Sequence, residues 1–225
     1  MTQTFQFQSN GESLSGALER PEGSGPWPGV LVAQEWYGLV PHIRDVAGRF
    51  ARAGYLAFAP DLYQGEAADD PEGCTRLVQK HGALAPDRLR AAFRVLKAHP
   101  KCSGKVGAVG YCFGGRMVLH LACYEPELNA AAIYYGGRME QYFDRVGNIR
   151  SPVLGLFGEA DYGIPVETVQ RFDDLLDGTG VPHEVIRYPG AAHAFFNDQG
   201  SNYHAPSAAD AWRRTIEFFA RYLGK

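Results

Sequence analysis

The side chain best framed for nucleophilic chemistry is Cys112, in the run Gly110-Tyr111-Cys112-Phe113-Gly114-Gly115. A G-x-C-x-G frame directly after a short apolar run is the pattern of a nucleophile elbow, with sulfur where a serine oxygen is more usual. Such an elbow is a sharp strand-to-helix turn. Glycines stand two before and two after the nucleophile because a Cβ there would meet the neighbouring strand or helix. The turn lifts the central side chain above the sheet, and the N–H groups that open the helix favour a thiolate and any oxyanion formed beside it. Taken alone, Cys112 also reads as a small buried hydrophobe, the usual state of a free cysteine. A nucleophile needs a base and an acid, and His193, Asp161 and Glu35 are the side chains to place.

The elements that must position them alternate along the chain. Thr4 to Gln8 and Leu14 to Glu19 alternate in polarity across Asn10-Gly11 and predict an antiparallel hairpin. Gly29 to Gln34 is a continuous apolar run, as in a strand covered on both faces. A helix opens at Pro41 and stops near Ala53-Gly54; Tyr55 to Ala59 is a strand; Pro71 to His99 is helical but broken near Gly82 to Pro86. Lys105 to Val109 is the elbow strand, and its helix runs from Phe113 to about Tyr124. Strands follow at Ala130 to Tyr135, Pro152 to Phe157 and His183 to Tyr188, with helices from about Pro165 to Leu176 and Pro206 to Leu223. An antiparallel start followed by alternating strands and helices predicts an α/β fold: a mostly parallel central sheet with helices on both faces. Chemistry in such sheets sits in loops at the carboxyl ends of strands.

Three partners for Cys112 lie at such ends. Pro152 to Phe157 runs into Gly158-Glu159-Ala160-Asp161, and His183 to Tyr188 into Pro189-Gly190-Ala191-Ala192-His193. Nucleophile, acid and histidine therefore appear in the chain order of α/β-hydrolases, each on its own loop. In that arrangement His193 holds the thiol proton and Asp161 orients the imidazole. Alone, His193 also reads as a surface-loop residue and Asp161 as a cap for the helix near Pro165. Glu35, in Gln34-Glu35-Trp36-Tyr37-Gly38, ends the Gly29 to Gln34 strand, where a buried carboxylate is costly unless partnered. An ion pair with a distant arginine is the other reading of it. The Trp36 and Phe113 N–H groups sit where such folds form an oxyanion hole.

Together with Ala59-Pro60-Asp61-Leu62-Tyr63 and Tyr188-Pro189-Gly190-Ala191-Ala192-His193-Ala194-Phe195, these segments resemble the dienelactone hydrolase family, in order and over nearly the whole chain. The resemblance implies an α/β-hydrolase fold without a large lid, and a Cys112–His193–Asp161 triad. It also implies that Glu35 helps deprotonate the thiol, and that the substrate is an ester or an unsaturated lactone such as dienelactone. Well-known members of that family carry an arginine a few residues after the triad histidine, which pairs with the glutamate and the substrate carboxylate. Here Phe195-Phe196-Asn197-Asp198 follows, with no arginine before Arg213. That departure bears on the anionic lactone, not on ester or lactone cleavage. Tyr37, Tyr63, Phe195, Phe196 and Asn197 are the expected pocket residues, the aromatics reading equally as core.

The rest of the composition narrows the class. The 225 residues, at 45 % hydrophobic content, suit a single domain over 1–225. A net charge of −3 without basic runs argues against nucleic acid, and no apolar run is long enough for a bilayer span. A polar start from Met1 to Glu12 lacks the pattern of a signal peptide, and the four cysteines have no C-x-x-C spacing. We expect a cytoplasmic monomer or weak homodimer, with free thiols, no metal site and no cofactor. The expected activity is hydrolysis of a small ester or lactone through an acyl-thioester on Cys112. A general carboxylesterase or thioesterase on the same residues stays open, as does a non-catalytic ligand-binding member of the fold.

Overall fold

The computed structural model describes residues 3–224; residues 1, 2 and 225, at the ends of the expected domain, lie outside the described residues. The chain runs β1 (Gln3–Ser9), β2 (Glu12–Glu19), β3 (Trp27–Ala33), α1 (Pro41–Arg52), β4 (Leu56–Pro60), α2 (Pro71–His81), α3 (Ala85–Lys97), β5 (Cys102–Tyr111) and α4 (Phe113–Tyr124). It continues through β6 (Ala130–Tyr134), a 3-10 helix (Met139–Asn148), β7 (Val153–Gly158), α5 (Val166–Asp177), β8 (His183–Tyr188) and α6 (Ala205–Leu223). The eight strands form one sheet in the order β1-β2-β4-β3-β5-β6-β7-β8. Pairs β1/β2 and β2/β4 are antiparallel, and every later pair is parallel.

The local causes are readable. Asn10 and Gly11 both take positive φ (49° and 81°), the two-residue turn that matches the twist of a hairpin and pairs Ser9 with Glu12. The inner strands are buried on both faces, whereas the edge strand β8 is half-buried. Val30 to Ala33 and Ala130 to Tyr134 are fully buried, as parallel strands under two helical layers must be. On one face, α1 and α6 meet through Phe50, whose ring lies 4.7 Å from Trp212 and 5.9 Å from Phe219. On the other, α3 and α4 cover the sheet, and the 3-10 helix links α4 to α5 by stacking Phe143 on Phe172 (centroids 6.0 Å, 10°).

Strand β5 begins earlier than the apolar run implies, at Cys102, because Trp27 pairs with it across a bulge. The 3-10 helix has no counterpart in the sequence reading. Its buried side chains are Met139 and Val146, too sparse a stripe to show as helical periodicity. Among the described residues no helix is long and apolar enough to cross a membrane.

Candidate active site

Strand β5 ends at Tyr111 and α4 starts at Phe113, so Cys112 makes the whole turn, at φ 53° and ψ −112°. A side-chain-bearing residue holds that left-handed backbone only when its surroundings impose it. Here they do. A Cβ on Gly110 would run into the Gly114 carbonyl, and one on Gly114 into the carbonyls of Ala33 and Gln34. The Cys112 N–H donates to the Tyr134 carbonyl at 3.1 Å, tying the elbow to β6. Phe113 opens the helix, and among the described residues neither its N–H nor that of Trp36 donates to a protein acceptor.

The loops after β7 and β8 are laced to one another before they reach the site. Glu159 N–H donates to the Tyr188 carbonyl at 3.0 Å and Ala160 N–H to the Ala191 carbonyl at 2.9 Å. This lacing sets Asp161 against His193. Asp161 is 4 % exposed; one of its oxygens accepts from Gly163 N–H at 2.9 Å and the other lies 2.6 Å from His193 Nδ1. His193 Nε2 in turn lies 3.0 Å from Cys112 Sγ. Burial opposes a charged imidazole, but the bonds to Asp161 and Cys112 outweigh it and push the His193 pKa up to about 10.

Glu35 has no solvent exposure, and burial pushes its pKa up to about 7. Asn197 Nδ2 donates to one of its oxygens at 2.7 Å, and the Tyr135 hydroxyl to the other at 3.4 Å. Both donors are neutral. They and the nearby His193 charge draw the pKa down, against the larger effect of burial. No hydrogen bond joins Glu35 to Cys112; the sulfur faces His193 instead. Asn197 thus takes the glutamate contact that the family resemblance gives to an arginine.

The cleft above Cys112 has a volume of about 760 Å³ and runs between Trp36, Val78, Phe113, Tyr162, Ile164 and His193. The expected wall of Tyr37, Tyr63, Phe195, Phe196 and Asn197 is corrected here, because none of these five lines it. Phe195 is fully buried among Tyr135 (5.3 Å) and Tyr188 (5.2 Å), and Phe196 stacks on Tyr111 at 5.2 Å. Tyr63 stacks on His81 at 5.3 Å, and Asn197 lies beneath Glu35. These side chains support the site from below.

Residues the sequence reading passed over make the wall instead, notably Arg116, Arg138 and Tyr162. Arg116 stands one helical turn after Cys112 on α4, a spacing that was open to inspection. Arg138 and Tyr162 sit in loops, where no periodicity marks them. The four cysteines are free, and burial pushes Cys74 and Cys123 up to about 11 and about 12. Among the described residues no group of three His, Cys, Asp or Glu side chains is arranged to hold a metal.

A strained thiol, a carboxylate and a histidine following β5, β7 and β8 of a mostly parallel sheet have the arrangement of an α/β-hydrolase site. The family model for dienelactone hydrolases matches residues 14–223, and this chain belongs to that family. It is a carboxylic ester hydrolase of the dienelactone hydrolase type. It is 37 % identical to an Escherichia coli (strain K12) protein provisionally named a carboxymethylenebutenolidase, over 96 % of this chain and 86 % of the relative. It is 32 % identical to Protein usf of Aquifex pyrophilus, over 99 % and 100 %. The crystal structure of a Klebsiella pneumoniae protein provisionally named a dienelactone hydrolase superposes with a TM-score of 0.90 at 34 % identity, covering 99 % of each chain. A dienelactone hydrolase-like promiscuous phosphotriesterase from metagenomic libraries superposes with a TM-score of 0.90 at 28 % identity, covering 99 % of this chain and 98 % of its own.

Proposed function

We propose that Cys112 is the nucleophile of a two-step cleavage of a small ester or lactone. The observation that carries this reading is the unbroken line from Asp161 through His193 to the sulfur, with bonds of 2.6 Å and 3.0 Å. With the imidazole pushed up to about 10, His193 keeps its proton at neutral pH, and Nε2 stands within hydrogen-bond reach of the sulfur.

Sulfur attacks the carbonyl carbon, and the oxyanion that forms is held by the Trp36 and Phe113 N–H groups. Collapse expels the alcohol oxygen, which takes the His193 proton and leaves an acyl-thioester. The neutral imidazole then removes a proton from water, whose oxygen attacks the thioester. Collapse breaks the carbon–sulfur bond, carboxylic acid leaves, and the sulfur and the protonated imidazole return to their starting state. Asp161 fixes the ring orientation and stabilises its cation at both stages. Glu35 acts through charge, since its carboxylate and the His193 cation attract one another.

Intact-protein mass spectrometry after brief mixing with activated esters and enol-lactones tests this. Cys112 should gain one acyl group, and Cys112→Ala should gain none and lose turnover. Near-normal turnover in the alanine variant overturns the reading.

A further inference from the structure

Arg116 and Arg138 stand on the same cleft as Cys112 and His193. Among the described residues neither guanidinium pairs with a carboxylate, and Arg116 Nε is buried with no hydrogen-bond partner. A buried N–H without an acceptor is uncommon and costly. The molecule's most buried arginine shows the ordinary solution: Arg88 is bonded to Glu12, to the Leu62 carbonyl and to His81. Around Arg116 the interacting groups are Tyr142, Cys112, Arg138 and Tyr63, and Arg138 repels it.

The Arg116 guanidinium lies over the Phe113 ring at 5.2 Å, so the ring covers one face and leaves the planar edge to donate. Gly137, next to Arg138, also lines the cleft, and a Cβ on it would come 3.9 Å from His193 Cε1. The arginine wall is therefore close to the reacting bond. The rest of the lining mixes apolar Trp36, Val78 and Ile164 with polar Gln79 and Asn202, and its one carboxylate, Asp161, is bonded to His193. Two like charges, one with an unused buried donor, are what an anionic substituent would relieve.

We propose that Arg116 and Arg138 form a subsite for an acidic group, carboxylate or phosphate monoester, carried by the ester or lactone. This rests on the cleavage reading above. It places the anion on α4 and on the loop after β6, away from the position after His193, where Asn197 is buried against Glu35.

Binding to Cys112→Ala protein, which has no nucleophile, separates the subsite from the reaction. Calorimetry at low salt would compare phenyl acetate with 4-acetoxybenzoate and 4-acetoxyphenyl phosphate. At least one acidic ester should bind about tenfold or more tighter than phenyl acetate, since each charge-assisted bond commonly contributes about that factor. The tighter of the two names the group. Arg138 is exposed and has φ 59°, a backbone that asparagine tolerates, so Arg138→Asn keeps the fold and should remove part of the preference. Adding Arg116→Met should remove the rest. Equal binding of all three esters overturns the subsite, as does a preference that survives both changes. A wild-type enzyme that never acylates Cys112 overturns the cleavage reading alone and leaves this measurement intact.

Discussion

Asp161 and Glu35 are two carboxylates sealed from solvent, 4 % and 0 % exposed, that both act on one imidazole. They differ in what they were given as partners. Asp161 meets His193 directly at 2.6 Å and takes a backbone N–H on its other oxygen. Glu35 receives an amide and a phenol, both neutral, and burial pushes its pKa up to about 7. A buried carboxylate beside a cation raises that cation's pKa, while one beside neutral donors keeps its own proton longer. Position follows chemistry: Asp161 lies on a loop reaching the cleft, Glu35 at the inner end of β3, under the elbow. One orients the imidazole by direct contact, and the other is placed to hold or release a proton near neutrality.

The largest effect should come from breaking the charged side of this pair. Asp161→Asn removes the anion and offers an amide that favours the wrong imidazole tautomer, so turnover should fall by about 10²–10⁴-fold. The His193 pKa should drop from about 10 toward the ordinary 6.5, visible in an NMR titration of the ring. A variant that keeps its turnover would show that Asp161 merely caps its loop.

Glu35→Gln should act in opposite directions on rate and stability. Without the carboxylate the His193 cation loses an attractive charge, and turnover should fall, by about 10²-fold if Glu35 also moves a proton. Stability should rise, but only at high pH. Folded Glu35 keeps its proton to about pH 7, whereas the unfolded group ionises near 4.5. The stability that its protonated form contributes is complete below pH 4.5 and is lost as pH rises through 7. By pH 8 that loss approaches about 3 kcal/mol. Urea unfolding of both proteins at pH 5 and pH 8 measures it. The glutamine variant should be little changed at pH 5 and more stable at pH 8. Equal stability at both pH values would refute the burial account of Glu35.

The grouping of Cys112, His193 and Asp161 was legible because each follows a strand, and those strand ends carry local signals: glycine spacing at Gly110 and Gly114, the apolar run before Asp161, and Pro189-Gly190 before His193. The pocket was not legible, because its walls depend on long-range packing. Phe195 and Phe196 follow His193 and read as substrate contacts. The loop instead turns at Ala194 (φ 62°), and Asp198 beyond it is held by Arg49 and His42. Both rings are thereby driven into the aromatic layer of Tyr111, Tyr134 and Tyr135. Nothing local in the sequence announces those anchors. Arg138 is missed for the same reason, since it stands in a loop and the arginine it adjoins in the cleft lining is 22 positions earlier, at Arg116.

The smallest expected effect is the most selective test of the comparison. Asn197 Nδ2 is the shorter of the two bonds on Glu35 and draws its pKa down against burial. Asn197→Ala removes that donor and leaves Asp161 and its bonds untouched, because Asn197 is 7 % exposed beneath the site and does not line the cleft. Glu35 should then hold its proton to a pH about one unit higher, the shift that corresponds to losing a bond of about 1.4 kcal/mol. If the Glu35 charge assists catalysis, the acid limb of the kcat profile should move up by the same amount, with turnover at pH 9 nearly restored. A structural role for Asn197 would instead lower kcat at every pH. The alkaline limb, which belongs to His193 and its bond to Asp161, should not move. A shift of both limbs together would mean that the two carboxylates titrate as one unit, and the division between them would have to be given up.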